Sequence, residues 1–216
     1  MKFTTTKFGH DISTWNDAPY IDSTVDFQKM KASGAEFVIL RASQGAVKDT
    51  DFDIFKNNSR GILPRGVYHY WNNTIPPKQQ ADILLSAIGD EKFEGRVWLD
   101  LEHIAKGAYN KPKHWKEFMR SLEGYGYRTG IYTGYYYWKD NAVKTKEYLA
   151  YFYEHPLWQA WYNPDPANVK IAGRWRDMMM WQSSAKGDGF AAGTEGNDID
   201  VNCWNDDYDF VAEWGG

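Results

Sequence analysis

The sequence has little cysteine and no long apolar run. Cys203 is the only cysteine among the 216 residues, so an intrachain disulfide is excluded. No apolar stretch reaches the roughly 20 residues of a membrane-spanning helix, and no secretory hydrophobic segment follows Met1. We therefore expect no membrane insertion. A protein of this kind that acts outside the cell would be released by another factor or would be a mature secreted form.

The sequence also lacks an excess of basic charge. Its net charge is −4, whereas a partner with a phosphate backbone requires a basic face, so we do not expect nucleic acid as a partner. The five histidines show no metal-ligand spacing, and there is no glycine-rich phosphate loop. We predict a monomer with no metal and no cofactor.

Aromatic residues, in contrast, are abundant. They make up 17% of the chain, with 11 Trp and 15 Tyr. Exposed aromatic rings can stack on the apolar faces of sugars, while buried ones fill a core. Composition alone leaves both interpretations open.

Eight segments have the apolar or alternating pattern of strands. They are Phe8 to Ser13, Glu36 to Arg41, Gly66 to Trp71, the segment around Asp100, Arg128 to Thr133, Leu157 to Tyr162, Met178 to Gln182 and Asp198 to Asn202. Helical segments lie between most of them, including Pro76 to Ile88, Pro112 to Gly124 and Val143 to Tyr153.

Strands that alternate with helices indicate a parallel sheet, and eight of them suggest a barrel. A glycine-rich loop from Gly187 to Gly196 joins the last two strands without a clear helix, and the tail from Asp206 to Trp214 is predicted to be a closing helix or a strap. The sequence therefore predicts an α/β fold: one irregular (β/α)8-like barrel domain over residues 1–216, with few or short helices in its last third.

The strand around Asp100 carries two acids on one face. Val97, Leu99 and Leu101 alternate with Asp100 and Glu102, so the two carboxyl groups project from the same side with Cα atoms roughly 6.6 Å apart. Two such acids repel, so one of them tends to keep its proton. A carboxylic acid beside a carboxylate is what cleavage of a glycosidic bond needs. The alternative is a strand end whose acids form ion pairs with nearby Arg or Lys.

Further acids lie at other predicted strand ends. In a barrel, functional groups gather at the carboxyl ends of the strands. Asp11 and Asp200 occupy such ends far from Asp100 in the sequence. This convergence favours a catalytic role for Asp100 and Glu102 over structural ion pairs.

Residues 9 to 202 resemble glycoside hydrolase family 25, the muramidases or lysozymes of phage endolysins and bacterial autolysins. The motifs that carry the resemblance follow in order along the chain: Gly9 to Ser13 with Trp15, Phe37 to Gly45, Gly66 to Tyr70, the Asp-x-Glu signature in Leu99 to Glu102, Ile131 to Thr133, Leu157 to Tyr162, Trp181 with Gln182, and Asp198 to Asn202. The chain departs from the family pattern at Gln44, where a Glu is common. Asp198 is an alternative to Asp200 at the closing acidic position.

The resemblance implies hydrolysis of the β-1,4 bond between N-acetylmuramic acid and N-acetylglucosamine in bacterial cell-wall peptidoglycan, outside the cell. It implies Glu102 as general acid and Asp100 as the second carboxylate, which we expect to orient the acetamido group of the substrate. Two further acids, Asp11 and Asp200, would tune the protonation of this pair. Expected substrate contacts are Arg41, Gln44, Tyr70, Tyr132, Tyr162 and Trp181. Two alternatives stay open: a hydrolase of chitin or another acetylated glycan, and a sugar-binding barrel without catalysis.

Overall fold

The computed structural model describes residues 3–16, 25–142, 148–163, 165 and 168–215. Within these residues the nine strands are β1 (Phe8–Ile12), β2 (Val38–Gln44), β3 (Val47–Lys48), β4 (Arg65–Tyr70), β5 (Val97–Leu101), β6 (Thr129–Gly134), β7 (Leu157–Ala160), β8 (Met180–Asp188) and β9 (Asp198–Trp204). The α-helices of the same residues are α1 (Phe27–Ala32), α2 (Phe52–Ser59), α3 (Pro77–Ile88), α4 (Pro112–Gly124), α5 (Tyr135–Asn141), α6 (Leu149–Tyr153) and α7 (Phe210–Trp214).

Eight of the strands close into a barrel in the order β1-β2-β4-β5-β6-β7-β8-β9, with β9 returning to β1. The short β3 pairs only with the end of β2. The pairs from β1 to β8 are parallel, but β9 is antiparallel to both of its neighbours. The predicted barrel is confirmed. The last strand departs from the parallel sheet that alternating strands and helices indicate, because the glycine-rich loop forms a hairpin rather than the helical crossover that a parallel pair requires.

Alternate side chains of β5 point to opposite faces of the strand and pack in two different apolar layers. Val97, Leu99 and Leu101 pack in the core between the barrel and its helices, whereas Trp98 packs with the residues that fill the barrel. Room for the indole comes from Gly130 on the neighbouring strand, where a Cβ atom would lie 2.4 Å from the Trp98 ring. Asp100 therefore points to the inside of the barrel, on the same face as Trp98.

The two long helices are α3 and α4, with 12 and 13 residues. Both begin at a proline, as predicted, because proline at the first helical position gives up no helical hydrogen bond. In the described part of the last third, helices α6 and α7 have only 5 residues each, so the expected short helices there are confirmed. Of the predicted helix Val143 to Tyr153, residues 143–147 lie outside the described residues, and α6 forms the rest.

Helix α7 closes the end of the barrel where the parallel strands begin. Its Trp214 ring stacks on Phe37 at 4.5 Å, and glycine at position 95 leaves space for that ring, since a Cβ there would lie 2.4 Å from it. The buried Glu213 forms ion pairs with Arg96 at 2.7 Å and with Arg128 at 3.0 Å. The tail is thus a helix, and the opposite end of the barrel remains available for a site.

Across the described ranges, no helix combines the length and apolar character that crossing a bilayer would demand.

Candidate active site

A pocket of about 400 Å³ opens at the carboxyl ends of the parallel strands. It collects side chains from all eight barrel strands or from the turns that follow them. The lining residues are Asp11, Ser13, Trp15, Asn16, Arg41, Gln44, Tyr68, Tyr70, Asp100, Glu102, Tyr132, Trp158, Tyr162, Gln182 and Asp200. The four acids that the sequence predicted at three strand ends therefore meet in one sugar-sized cavity.

Asp200 reaches the pocket from the antiparallel strand β9, whereas the other acids come from parallel strands. Its register pairs Gly9 with Asn202, which brings Asp200 to the level of Asp11 on β1. Nδ1 of His10 lies 2.7 Å from the carbonyl oxygen of Asp200 and secures this part of the strand. Asp198 instead is exposed and forms an ion pair with Lys186. Of the two acids of the closing strand, Asp200 is the one that lines the pocket.

A network of amides holds the carboxyl group of Asp11. Its Oδ2 accepts hydrogen bonds from Nε2 of Gln182 at 3.0 Å and from Nδ2 of Asn202 at 2.8 Å. The hydroxyl of Tyr132 donates to Oε1 of Gln182, and the indole N–H of Trp158 donates to Oδ1 of Asn202, both at 2.8 Å. Burial raises the pKa of Asp11, and the two amide hydrogen bonds oppose that rise because they stabilise the carboxylate.

Asp100 and Glu102 differ in depth. Asp100 is 4% exposed, and its Oδ1 has no hydrogen-bond partner in the described part of the chain. Burial, followed by the charge of Glu102, raises the pKa of Asp100 well above its usual value. Glu102 as a residue is exposed at the mouth, but its Oε2 lies 3.4 Å from the hydroxyl of Tyr132 on the pocket wall. Desolvation there, with the charge of Asp11, raises the pKa of Glu102.

Asp200 adds to this concentration of acids. Burial raises its pKa, and so do the neighbouring charges of Asp11 and Glu102. Carboxyl groups that interact this strongly titrate as a group, so the site keeps at least one proton at a pH where an isolated carboxyl would have lost it.

Arg41 is the cation of the pocket. It is 7% exposed, and its Nε donates to Oδ2 of the buried Asp49 at 2.7 Å. Its positive charge lowers the pKa of Asp100 and so opposes the effect of burial. The ion-pair partner of Arg41 is thus Asp49 and not one of the four acids.

Most predicted substrate contacts are brought into the pocket, but Trp181 is not. Gln44, Tyr70, Tyr132 and Tyr162 line the pocket together with Arg41. Trp181 is only 4% exposed, its ring packs edge-on against Phe3, and its indole N–H donates to the carbonyl of Trp161 at 2.7 Å. The prediction that Trp181 contacts sugar is therefore corrected: it is a core residue that supports the neighbouring strand end.

Sequence reasoning missed several pocket residues. Trp15 and Asn16 follow β1 in a short 3-10 turn, and Tyr68 and Trp158 point to the inside of the barrel from β4 and β7. Tyr68 could have been predicted, because it lies two residues from Tyr70 on the same strand and so points to the same face. Asn202 likewise shares the face of Asp200, but its hydrogen bond to Asp11 could not be predicted, because that contact crosses between the first and last strands.

The arrangement places protonated and ionised carboxyl groups in one cavity. Acid-assisted cleavage of an acetal bond requires such a combination. Within the described residues, no three His, Cys, Asp or Glu side chains are placed to hold a metal ion.

Comparison with protein families matches residues 10–189 to the family described as Glycosyl hydrolases family 25. The chain belongs to glycosyl hydrolase family 25. The matched range includes Asp11, Asp100 and Glu102 and ends one residue after β8, so it covers most of the barrel.

Relatives of this family 25 chain include a bacterial protein and a lysozyme. The chain is 28% identical over 208 residues to the uncharacterized protein YegX of Escherichia coli O157:H7, covering 91% of this chain and 69% of YegX. It is 26% identical over 149 residues to an autolytic lysozyme of Clostridium acetobutylicum, covering 68% of this chain and 44% of the lysozyme. The chain thus spans less than half of that lysozyme.

A solved structure shares the family 25 fold. A lysozyme of this family from Aspergillus fumigatus superposes with a TM-score of 0.73 at 25% identity, and the match covers 94% of each chain.

Proposed function

We propose that this family 25 chain is an N-acetylmuramidase that cleaves the β-1,4 bond between N-acetylmuramic acid and N-acetylglucosamine in bacterial peptidoglycan. The observation that carries the proposal is the meeting of Asp11, Asp100, Glu102 and Asp200 in one pocket of about 400 Å³. The autolytic lysozyme among the relatives and the lysozyme of the same fold support the choice of substrate.

Glu102 is our general acid. Asp100 and Glu102 both have raised pKa values, but only Glu102 lies at the mouth, where a glycosidic oxygen can reach it. Its carboxyl proton passes to that oxygen while the bond from the oxygen to C1 of the sugar breaks. In the second half of the reaction the Glu102 carboxylate takes a proton from water as the water oxygen bonds to C1.

Asp100 lies deeper in the pocket lining, and one of its carboxyl oxygens is buried without a hydrogen-bond partner among the described residues. We assign it to the acetamido group of the N-acetylmuramic acid ring, whose carbonyl oxygen would attack C1 and form a cyclic intermediate that water then opens. The carboxylate of Asp100 would accept a hydrogen bond from the acetamido N–H and so orient that group. Asp11 and Asp200 would set the protonation of the pair.

Purified bacterial cell walls and chitin, each incubated with the wild-type protein, test the proposal. We expect falling turbidity and new reducing ends from the walls and no products from chitin. Glu102→Gln keeps the size of the side chain but removes its acid, so we expect a rate at least about 100-fold lower. Glu117→Gln is the matched control, because Glu117 is exposed on α4 outside the pocket.

Other results would decide against muramidase action. Cleavage of chitin would indicate a hydrolase of another acetylated glycan. Binding to walls without any reducing ends would indicate a sugar-binding barrel that lacks catalysis.

A further inference from the structure

Three aromatic rings lie beside the candidate pocket without lining it. Tyr135 and Tyr136 directly follow β6, and Trp161 directly follows β7. The rings of Tyr136 and Trp161 stack with centroids 5.9 Å apart and planes at 20°, while Tyr135 meets them edge-on at 5.1 and 5.2 Å. We name these three residues the rim cluster. Because β6 and β7 are parallel and end at the mouth, the cluster lies at the same end of the barrel as the acids.

The rim cluster is exposed and yet firmly held. Tyr136 is 62% exposed, whereas Tyr135 and Trp161 pack against the core. The backbone of Trp161 is fixed on both sides: its N–H donates to the carbonyl of Gln182 at 3.1 Å, and its carbonyl accepts from Trp181 at 2.7 Å. A large aromatic surface that is ordered before binding can stack on a ligand with little loss of conformational entropy.

A second exposed aromatic side chain lies across the mouth. Trp15, in the turn after β1, lines the pocket and is 81% exposed. In the closed barrel three strands separate β1 from β6 in either direction, so the two strands are diametrically opposed. Trp15 and Tyr136 therefore lie on opposite sides of the mouth, with the four acids between them.

We infer that a glycan chain crosses the mouth from Trp15 to the rim cluster, with a sugar stacked on each and the cleaved bond between them. This rests on the proposed function and adds outer subsites to it. The rim cluster is continuous with the pocket, because Tyr162 follows Trp161 and lines the pocket wall. Aromatic rings fit the apolar faces of pyranose rings, which a polysaccharide presents at every residue. Such a path makes the enzyme endo-acting, with a preference for long chains.

Chain-length preference tests this path. The substrates are a tetrasaccharide and an octasaccharide of alternating N-acetylglucosamine and N-acetylmuramic acid, the octasaccharide labelled at its reducing end. Tyr136→Ala removes the outermost ring, and we expect the ratio of kcat/KM for the octasaccharide to that for the tetrasaccharide to fall about three- to tenfold. Tyr136→Phe keeps the ring and should restore the ratio. Tyr125→Ala is the matched control. Tyr125 is 74% exposed, and it follows α4 and precedes the amino end of β6, which is the end of the strand away from the mouth.

The positions of the labelled cuts add a directional test. In the inferred path, Trp15 and Tyr136 bind opposite ends of the glycan. Trp15→Ala and Tyr136→Ala should therefore displace the preferred cleavage site in opposite directions along the octasaccharide. An unchanged ratio in Tyr136→Ala, an equal loss on both substrates, or displacement in the same direction would overturn the inference while leaving muramidase action intact. Wild-type protein that cleaves cell walls but neither oligosaccharide would overturn this inference alone, whereas protein that cleaves neither walls nor oligosaccharides would overturn both proposals.

Discussion

Nδ2 of Asn202 donates a hydrogen bond of 2.8 Å to Oδ2 of Asp11, and this contact joins the last strand of the barrel to the first. It stabilises the ionised form of a carboxyl group whose pKa burial raises. Asn202→Leu should therefore raise the pKa of Asp11 further. We expect the acidic limb of the pH–rate profile to move to higher pH, because Asp11 then stays protonated over a wider range.

The pH profile of kcat/KM on cell walls checks this prediction. Asn197→Leu is a suitable control, because Asn197 is exposed in the hairpin that precedes the same strand. If Asn202→Leu lowers the rate equally at every pH, Asn202 supports only the local structure and does not act through the protonation of Asp11.

Asp100→Asn should stabilise the protein while it reduces activity. Burial raises the pKa of Asp100 well above that of an unfolded aspartate, which is about 3.9. The folded state thus binds more protons than the unfolded state above that pH, and stability falls as the pH rises through the window between the two pKa values. Asparagine carries no charge, so the stability of the variant should not fall with rising pH in this window.

Thermal unfolding measured as a function of pH tests whether Asp100→Asn raises or lowers the stability of the protein. The melting temperature of Asp100→Asn should exceed that of the wild type by about 3 °C or more at pH 7, with the difference shrinking toward pH 4. Asp140→Asn, an exposed replacement on α5, should show no such trend. A variant that melts below the wild type at neutral pH would mean that the folded state favours the ionised form of Asp100.

Asp49→Ala should destabilise the fold strongly. The ion pair of Asp49 with Arg41 is buried, with side chains 0% and 9% exposed, so the variant leaves a buried cation without its partner. We expect a loss of about 3–5 kcal/mol in the free energy of unfolding. Asp82→Ala breaks the exposed pair with Lys78 and should cost less than about 1 kcal/mol. Denaturant titration measures both, and losses of similar size would show that burial of the Arg41 pair contributes little.

The sequence predicted the barrel because its strands are distinct. Continuous apolar runs such as Val38 to Leu40 and the alternation in Val97 to Leu101 follow from burial on one or both faces. The helix Tyr135–Asn141 was not predicted, because three consecutive tyrosines have low helix propensity and a period of 3.6 cannot be seen in seven residues. Packing of the buried Trp138 holds it in place instead.

The acids of the site were predictable, whereas their supporting contacts were not. Asp11, Asp100 and Glu102 lie toward the carboxyl ends of parallel strands, where topology brings them together, whereas Asp200 joins them through the antiparallel register of β9. The amide of Gln182 reaches Asp11 across 171 positions, and Trp181 turns its ring to the core instead of the mouth. Neither outcome follows from local patterns, because both depend on how the closed barrel orients neighbouring strands.

Mass spectrometry of the soluble fragments released from purified peptidoglycan tests the central claim most directly, because it names the reducing-end sugar. We predict fragments that end in N-acetylmuramic acid, released by the wild-type protein and lost in Glu102→Gln. Fragments that end in N-acetylglucosamine, or equal release by Glu102→Gln, would contradict the assignment of this pocket and its general acid.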